Sequence, residues 1–124
     1  HVKRIKELVK DKFYDGIIFH RVIQGFMAQT GDPDGVGTGG SGKNLKAEFS
    51  DYEYKSGTVG MARSMSPDSG DSQFFICFDG CSHLTGQYTV WGQVVSGMDA
   101  VEKLAIGEPP SSPDKMISVK LGKK

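Results

Sequence analysis

At 124 residues the chain can build one domain with a real hydrophobic core, so neither a disulfide framework nor a structural metal is needed merely to keep it folded. Its 15 basic residues cancel its 15 acidic ones, and no like-charged stripe stands out beyond KRIKELVKDK and the terminal GKK, which argues against a nucleic-acid surface. Apolar residues make up 37% of the chain but are punctuated by 17 Gly and 5 Pro, and no run approaches the roughly 18 residues of a membrane span; we expect a β-rich, non-membrane domain of short elements.

The first predicted element is a helix at about 2–12. Val2, Ile5, Leu8 and Val9 recur there at helical spacing, with Phe13 beyond them, and the opposite charges form a solvated face. The FYDG turn ends it. A strand is predicted over 17–22 and a second over 26–30, separated by Gln24-Gly25. The stretch GDPDGVGTGGSGK at 31–43 has the composition of a long loop. It does not make a phosphate-binding loop, because Lys43 is followed by Asn44 and no clear apolar helix comes next. After a polar segment, strands are predicted at 58–63, 73–78 and 89–95. Met98, Val101, Leu104 and Ala105 then repeat at helical spacing between Gly97 and Gly107. Pro109, Pro110 and Pro113 form a stiff connector, and MISVKL at 116–121 alternates as a final strand. The whole reads as one domain over 1–124, an antiparallel barrel or sandwich capped by two helices, whose sheet must close or cover its edges. Cys77 ends an alternating run and Cys81 follows an Asp-Gly turn; this spacing indicates no disulfide framework, and a zinc site would have to recruit His83 and the distant His20. We expect thiols.

Arg21 is the residue that asks for an explanation. It lies among Ile17, Ile18, Phe19, Val22, Ile23, Phe26 and Met27, where a guanidinium loses water unless something accepts its hydrogen bonds. Its stem could simply pack while its head reaches solvent, or it could be a placed donor in a groove. Strand alternation puts Gln73, Phe75 and Cys77 on one face and Phe74, Ile76 and Phe78 on the other, groups Arg21 with Phe19 and Ile17, and groups Gln29 with Met27. Phe74 and Phe78 are assigned to the core, as are His20 and Trp91, while Phe75 beside a polar Gln73 is expected to line an external groove. Gln29 and Gln73 resist a dry core because each amide must satisfy both donors and acceptors. A cysteine hydrolase built from Cys77 and His83 lacks an orienting third group.

FHRVIQGFMAQTGD at 19–32, GTGG at 37–40, SQFFICF at 72–78 and LTGQYTVWGQVVSGM at 84–98 together resemble the cyclophilins, the cyclosporin-binding class of peptidyl-prolyl cis-trans isomerases, over nearly the whole chain. TGQYTVWGQVVSGMDAV and GEPPSSPDK resemble a bacterial member. The resemblance implies a mainly β fold: a closed, eight-stranded antiparallel barrel capped by two α-helices, with a peptide groove outside. It makes Arg21 the catalytic arginine, Phe26, Met27, Phe75 and Leu84 the proline pocket, and Gln29, Gln73, Ala62 and Arg63 the groove residues that hold substrate backbone. Gly37 falls on a glycine bordering the neighbouring pocket. His83 stands where many members have tryptophan, which weakens the expected affinity for cyclosporin; Tyr88 replaces a common histidine and can still wall the pocket; Arg63 replaces the commonest residue, asparagine. No cofactor and no metal are implied, and the expected partners are proline-containing peptides and unfolded or partly folded proteins in the cytoplasm, with the periplasm kept open. The alternative is a non-catalytic proline-peptide binding or chaperone module, which would have no need of Arg21. Family members carry two strands before the first helix, so we expect this chain to be missing its N-terminal strands, or to pair the exposed edges with another chain.

Overall fold

A computed structural model describes residues 2–35, 37, 39–64, 66–107 and 110–122. In chain order the elements are helix α1 (Val2–Lys10), strands β1 (Arg21–Ile23), β2 (Met27–Thr30), β3 (Thr58–Met61) and β4 (Phe74–Cys77), a 3-10 turn (Ser82–Leu84), strand β5 (Val90–Gln93) and helix α2 (Met98–Glu102).

Helix α1 buries Ile5, Leu8 and Val9, the stripe its periodicity marks, while Val2 stays exposed. It stops before the FYDG turn. Lys12 turns left-handed at φ 59, its N–H donates to Val9 O at 3.1 Å, and Phe13 N–H donates to Leu8 O at 3.0 Å. This pair of backward bonds satisfies carbonyls the helix would otherwise leave open, and Phe13 packs on the same cluster as Leu8.

The strands form one antiparallel sheet in the order β1-β2-β4-β3-β5. β1 and β2 are joined by a turn in which Phe26 N–H donates to Ile23 O at 3.1 Å and Gly25 takes φ 76. Their register pairs Arg21 with Gln29, and Gln29 in turn stands opposite Phe75, which stands opposite Gly60. Because side chains alternate, this row shares one face with Ile23, Met27 and Cys77, leaving Val22, Ala28, Phe74 and Met61 on the other. Both helices pack on that second face: α1 against Met61 and Phe74, α2 through Met98 and Val101, with Leu104 just beyond it, against Val22, Ala28 and Phe78. The first face is left for the site.

Among the described residues the sheet does not close into the expected barrel. β1 and β5 stand at opposite ends of the strand order, and the sheet has five strands of three or four residues where a barrel filled by side chains takes about eight. The strand expected over 116–121 is instead a segment tied beside residues 16–19: Gly16 N–H donates to Met116 O, Met116 N–H to Ile17 O and Phe19 N–H to Asp114 O, while Val119 N–H goes to the Asp15 carboxylate. A side chain has taken an amide that a ladder would have used. The strand expected over 17–22 likewise shortens to Arg21–Ile23, preceded by a single bridge between Ile18 and Lys115, so Ile17 and Phe19 join different clusters. The outer edge of β1 is covered by Gly107, which exchanges two backbone bonds of 2.9 and 3.0 Å with Val22.

Cys77 and Cys81 correct a second expectation, for they form a disulfide rather than two thiols. The turn after β4 brings their Cα atoms to 6.1 Å, inside the range a disulfide spans. Both are fully buried beside Met27 and Phe75.

His20 is buried as expected, and neither ring nitrogen has a hydrogen-bond partner among the described residues. Burial lowers its pKa from 6.5, with Arg21 adding to the effect and Asp32 opposing it. The folded state therefore favours the neutral ring, so this contribution is fully present above about pH 6.5 and is lost as pH falls through the depressed value. Unfolding followed from pH 8 to 5 should show stability falling by at most about 1.4 kcal/mol per pH unit from this proton, a slope that His20→Asn abolishes. Lys12→Gly should raise stability by about 1 kcal/mol, measured by denaturant unfolding, since glycine takes the left-handed cap without steric cost.

Candidate active site

The register of β1, β2 and β4 sets three polar side chains in line across the site face. Arg21 Nη1 donates to Gln29 Oε1 at 3.5 Å, Gln29 Nε2 donates to Gln73 Oε1 at 2.9 Å, and Gln73 Nε2 donates to the Gly39 carbonyl at 2.9 Å. Since a backbone carbonyl can only accept, Gly39 fixes which way both amides point, and Gln29 is left presenting oxygen to the guanidinium. Arg21 is half-buried, neither lost in the core nor freely solvated.

Two cavities flank this line. One of about 130 Å³ is lined by Arg21, Phe26, Met27, Gln29, Ala62, Arg63, Phe75, Leu84 and Tyr88. The other, of about 380 Å³, is lined by Gln29, Gln73, Ala62 and Arg63 together with Gly37, Gly39, Gly40, Asn44, Ser64, Ser69 and Asp71. Seven of the eleven residues that line the larger one carry polar side chains. The smaller has the apolar walls and the Arg21 guanidinium that the sequence places together, so it is the better candidate for chemistry.

The floor of the small cavity is a stack. Phe75 lies on Tyr54 at 5.6 Å with 20° between the rings, and Tyr88 meets Phe75 edge-on at 5.8 Å. The Tyr54 hydroxyl donates to Tyr88 O at 2.9 Å, and burial, with a smaller contribution from Tyr88, pushes its pKa up, so it stays a neutral donor. Gly60 stands beneath Phe75 because a Cβ there would collide with the Tyr54 hydroxyl and come within 2.7 Å of the Phe75 ring. On the rim, His83 stacks on Phe26 at 5.6 Å and 27°. It lines neither of these two cavities.

The glycine-rich loop is held by carboxylates. Asp32 accepts from the Asp34 and Gly37 amides, and Asp71 accepts from the Ser41 and Gly42 amides and the Ser41 hydroxyl. A Cβ on Gly40 would fall 2.6 Å from an Asp71 oxygen, and one on Gly39 would strike the carboxylates of Asp32 and Asp34. These glycines leave room for anchoring side chains, so the loop has a structural use that its composition alone did not show.

A sequence profile of the family "Cyclophilin type peptidyl-prolyl cis-trans isomerase/CLD" matches residues 1–121. The chain belongs to this family. Among bacterial cyclophilin relatives, a probable peptidyl-prolyl cis-trans isomerase of Brucella abortus is 52% identical over 134 aligned positions, covering 94% of this chain and 68% of that protein. Peptidyl-prolyl cis-trans isomerase B of Bacillus subtilis is 40% identical over 109 positions, covering 86% of this chain and 76% of that one. A cyclophilin from Cryptosporidium parvum, crystallised in the presence of the dipeptide Ala-Pro, superposes with a TM-score of 0.89 at 27% identity, covering 98% of this chain and 84% of that one. The fold is thus that of a cyclophilin, and the chain is a peptidyl-prolyl cis-trans isomerase.

Nine of the twelve residues singled out in the sequence line the small cavity; Gly37 and Gln73 line the larger one, and His83 stands on the rim. Sequence reasoning missed Asn44, Ser69 and Asp71, which reach the larger cavity from separate loops, and Tyr54, which lies under Phe75. The only sequence sign of Tyr54 was an aromatic in a polar stretch.

Gly60→Ala should destabilise the protein by about 1–3 kcal/mol through overpacking and weaken proline-peptide binding by displacing Phe75. Denaturant unfolding and peptide titration measure the two effects, and unchanged binding would remove the link between Gly60 and the cavity floor.

Proposed function

We propose that this cyclophilin accelerates rotation about X-Pro bonds by seating the proline ring in the small apolar cavity and offering its nitrogen a hydrogen bond from Arg21. The directional chain from Gly39 O through Gln73 and Gln29 carries this reading, because it orients the guanidinium beside an apolar wall.

The barrier to rotation is about 18–20 kcal/mol because twisting destroys amide resonance, while the trans preference of an X-Pro bond is only about 0.5–1 kcal/mol. No bond has to break. As the bond twists, the prolyl nitrogen regains its lone pair and becomes an acceptor, which it is not in either planar state. A fixed guanidinium therefore binds the twisted state better than the ground states. Phe26, Met27, Phe75, Leu84 and Tyr88 hold the ring and exclude water, while Gln29, Gln73, Ala62 and the Arg63 backbone hold the chain on the other side of the bond. Gly37 borders the larger cavity, which takes a neighbouring substrate residue. The substrate class is proline-containing segments of unfolded or partly folded proteins, in keeping with the Ala-Pro dipeptide used with the Cryptosporidium relative. His83, stacked on Phe26, offers a cyclic-peptide ligand of the cyclosporin class only an imidazole N–H at the rim, so binding of that class is weak.

Cis-trans exchange of a short proline peptide, followed by NMR, should be accelerated by the wild-type protein. Arg21→Ala should lower the exchange rate at saturation about 10²–10³-fold, as for loss of one preorganised donor, with peptide binding retained. Equal acceleration by the variant would refute the role of Arg21.

A further inference from the structure

Arg63 follows β3, where the Ala62 N–H donates to Gln73 O at 3.0 Å and so fixes the backbone beside the groove. Its side chain turns to the 83–88 segment. Nε and Nη2 both donate to Gln87 O, at 3.1 and 2.9 Å, and Nη1 donates to Ser64 O at 3.0 Å. The guanidinium carbon then lies 4.5 Å from the centroid of the Tyr88 ring. Tyr88 in turn meets Phe75 edge-on and accepts the Tyr54 hydroxyl at its carbonyl. Its ring is therefore held between a guanidinium and the cavity floor, and both Arg63 and Tyr88 line the small cavity.

We propose that Arg63 is a positioning residue whose guanidinium clamps Tyr88 over Phe75 and thereby sets the width of the proline cavity. Arg63 extends from the end of β3 across to the 83–88 segment, which supplies two walls of that cavity, Leu84 and Tyr88. Only a planar fork can stack on a ring and give two bonds to one carbonyl together. A lysine would supply the charge without the clamp. Arg63 and Tyr88 are thus a matched pair, one acting on substrate through the other. This inference rests on the proline-pocket reading above.

A double-mutant cycle on binding of the peptide Ala-Ala-Pro-Phe, titrated by NMR, tests the pairing separately from catalysis. Arg63→Ala should weaken binding about three- to tenfold. Arg63→Lys should be as weak as Arg63→Ala. In a Tyr88→Ala background the same Arg63→Ala change should alter binding less than about twofold. In the free protein, Arg63→Ala and Arg63→Lys should both shift the Tyr88 ring resonances, a readout that needs no Tyr88 variant. An Arg63→Ala penalty equal in both backgrounds, rescue by lysine, or unmoved Tyr88 resonances would overturn the clamp. Failure of the wild-type protein to accelerate exchange, with the binding cycle intact, would overturn the isomerase mechanism and leave the clamp standing.

Discussion

The site depends on one backbone carbonyl. Gly39 O can only accept, so Gln73 must turn its amide nitrogen to the loop and its oxygen to Gln29, and Gln29 must turn its nitrogen to Gln73 and its oxygen to Arg21. Reversing either amide would set donor against donor. The orientation of a guanidinium on β1 is thus fixed by a loop nearly twenty residues later, and that loop is fixed by the carboxylates of Asp32 and Asp71. Acidic residues in a glycine-rich loop are costly when they crowd each other, yet here each is occupied with amides that a loop leaves unpaired.

The sheet makes this line possible by keeping the two packing tasks apart. Period-two alternation gives one face to α1 and α2 and the other to Arg21, Gln29 and Phe75. Burying Ile5, Leu8, Val9 and Val22 supplies the general stability, at about 1.5–3 kcal/mol for each fully buried side chain. The site face needs a different kind of support, because its upper layer must stay open to a ligand. Tyr54 provides it from below, stacking on Phe75 while its hydroxyl ties the Tyr88 backbone, and Gly60 makes the space for both rings.

What was legible in the sequence followed from local period. Ile5, Leu8 and Val9 announce α1 because a helix repeats every few residues, and the face shared by Phe75 and Cys77 follows from alternation within one strand. The end of α1 was missed by two residues because a lysine, not a glycine, takes the left-handed cap at Lys12. MISVKL alternates like a strand, but whether its amides find a ladder depends on a neighbour far away, and Asp15 took one of them. The strand pattern left a barrel and a sandwich both open and only the resemblance implied eight strands in a closed barrel, so an open sheet of five strands among the described residues could differ from it. The same limit hid the larger cavity: Asn44, Ser69 and Asp71 carry no common spacing and meet only through the loop's path. Arg21, Gln29 and Gln73 were recognisable because each is chemically out of place in its apolar surroundings. The disulfide was not, since four-residue spacing says nothing until the turn after β4 is built.

On the proposed mechanism the two cavities divide substrate holding in a way that suits a reaction with no covalent step. The space of about 130 Å³, walled by Phe26, Met27, Phe75, Leu84 and Tyr88, suits a ring, and the space of about 380 Å³ beside it leaves room for the next residue of a chain. On the proposed mechanism, tight binding of either planar isomer would deepen the ground state and leave the barrier as high as before. On that mechanism, selectivity for the twisted bond comes from a donor already aimed at the prolyl nitrogen. The 3.5 Å contact between Arg21 and Gln29, with the amide chain behind it, supplies that direction.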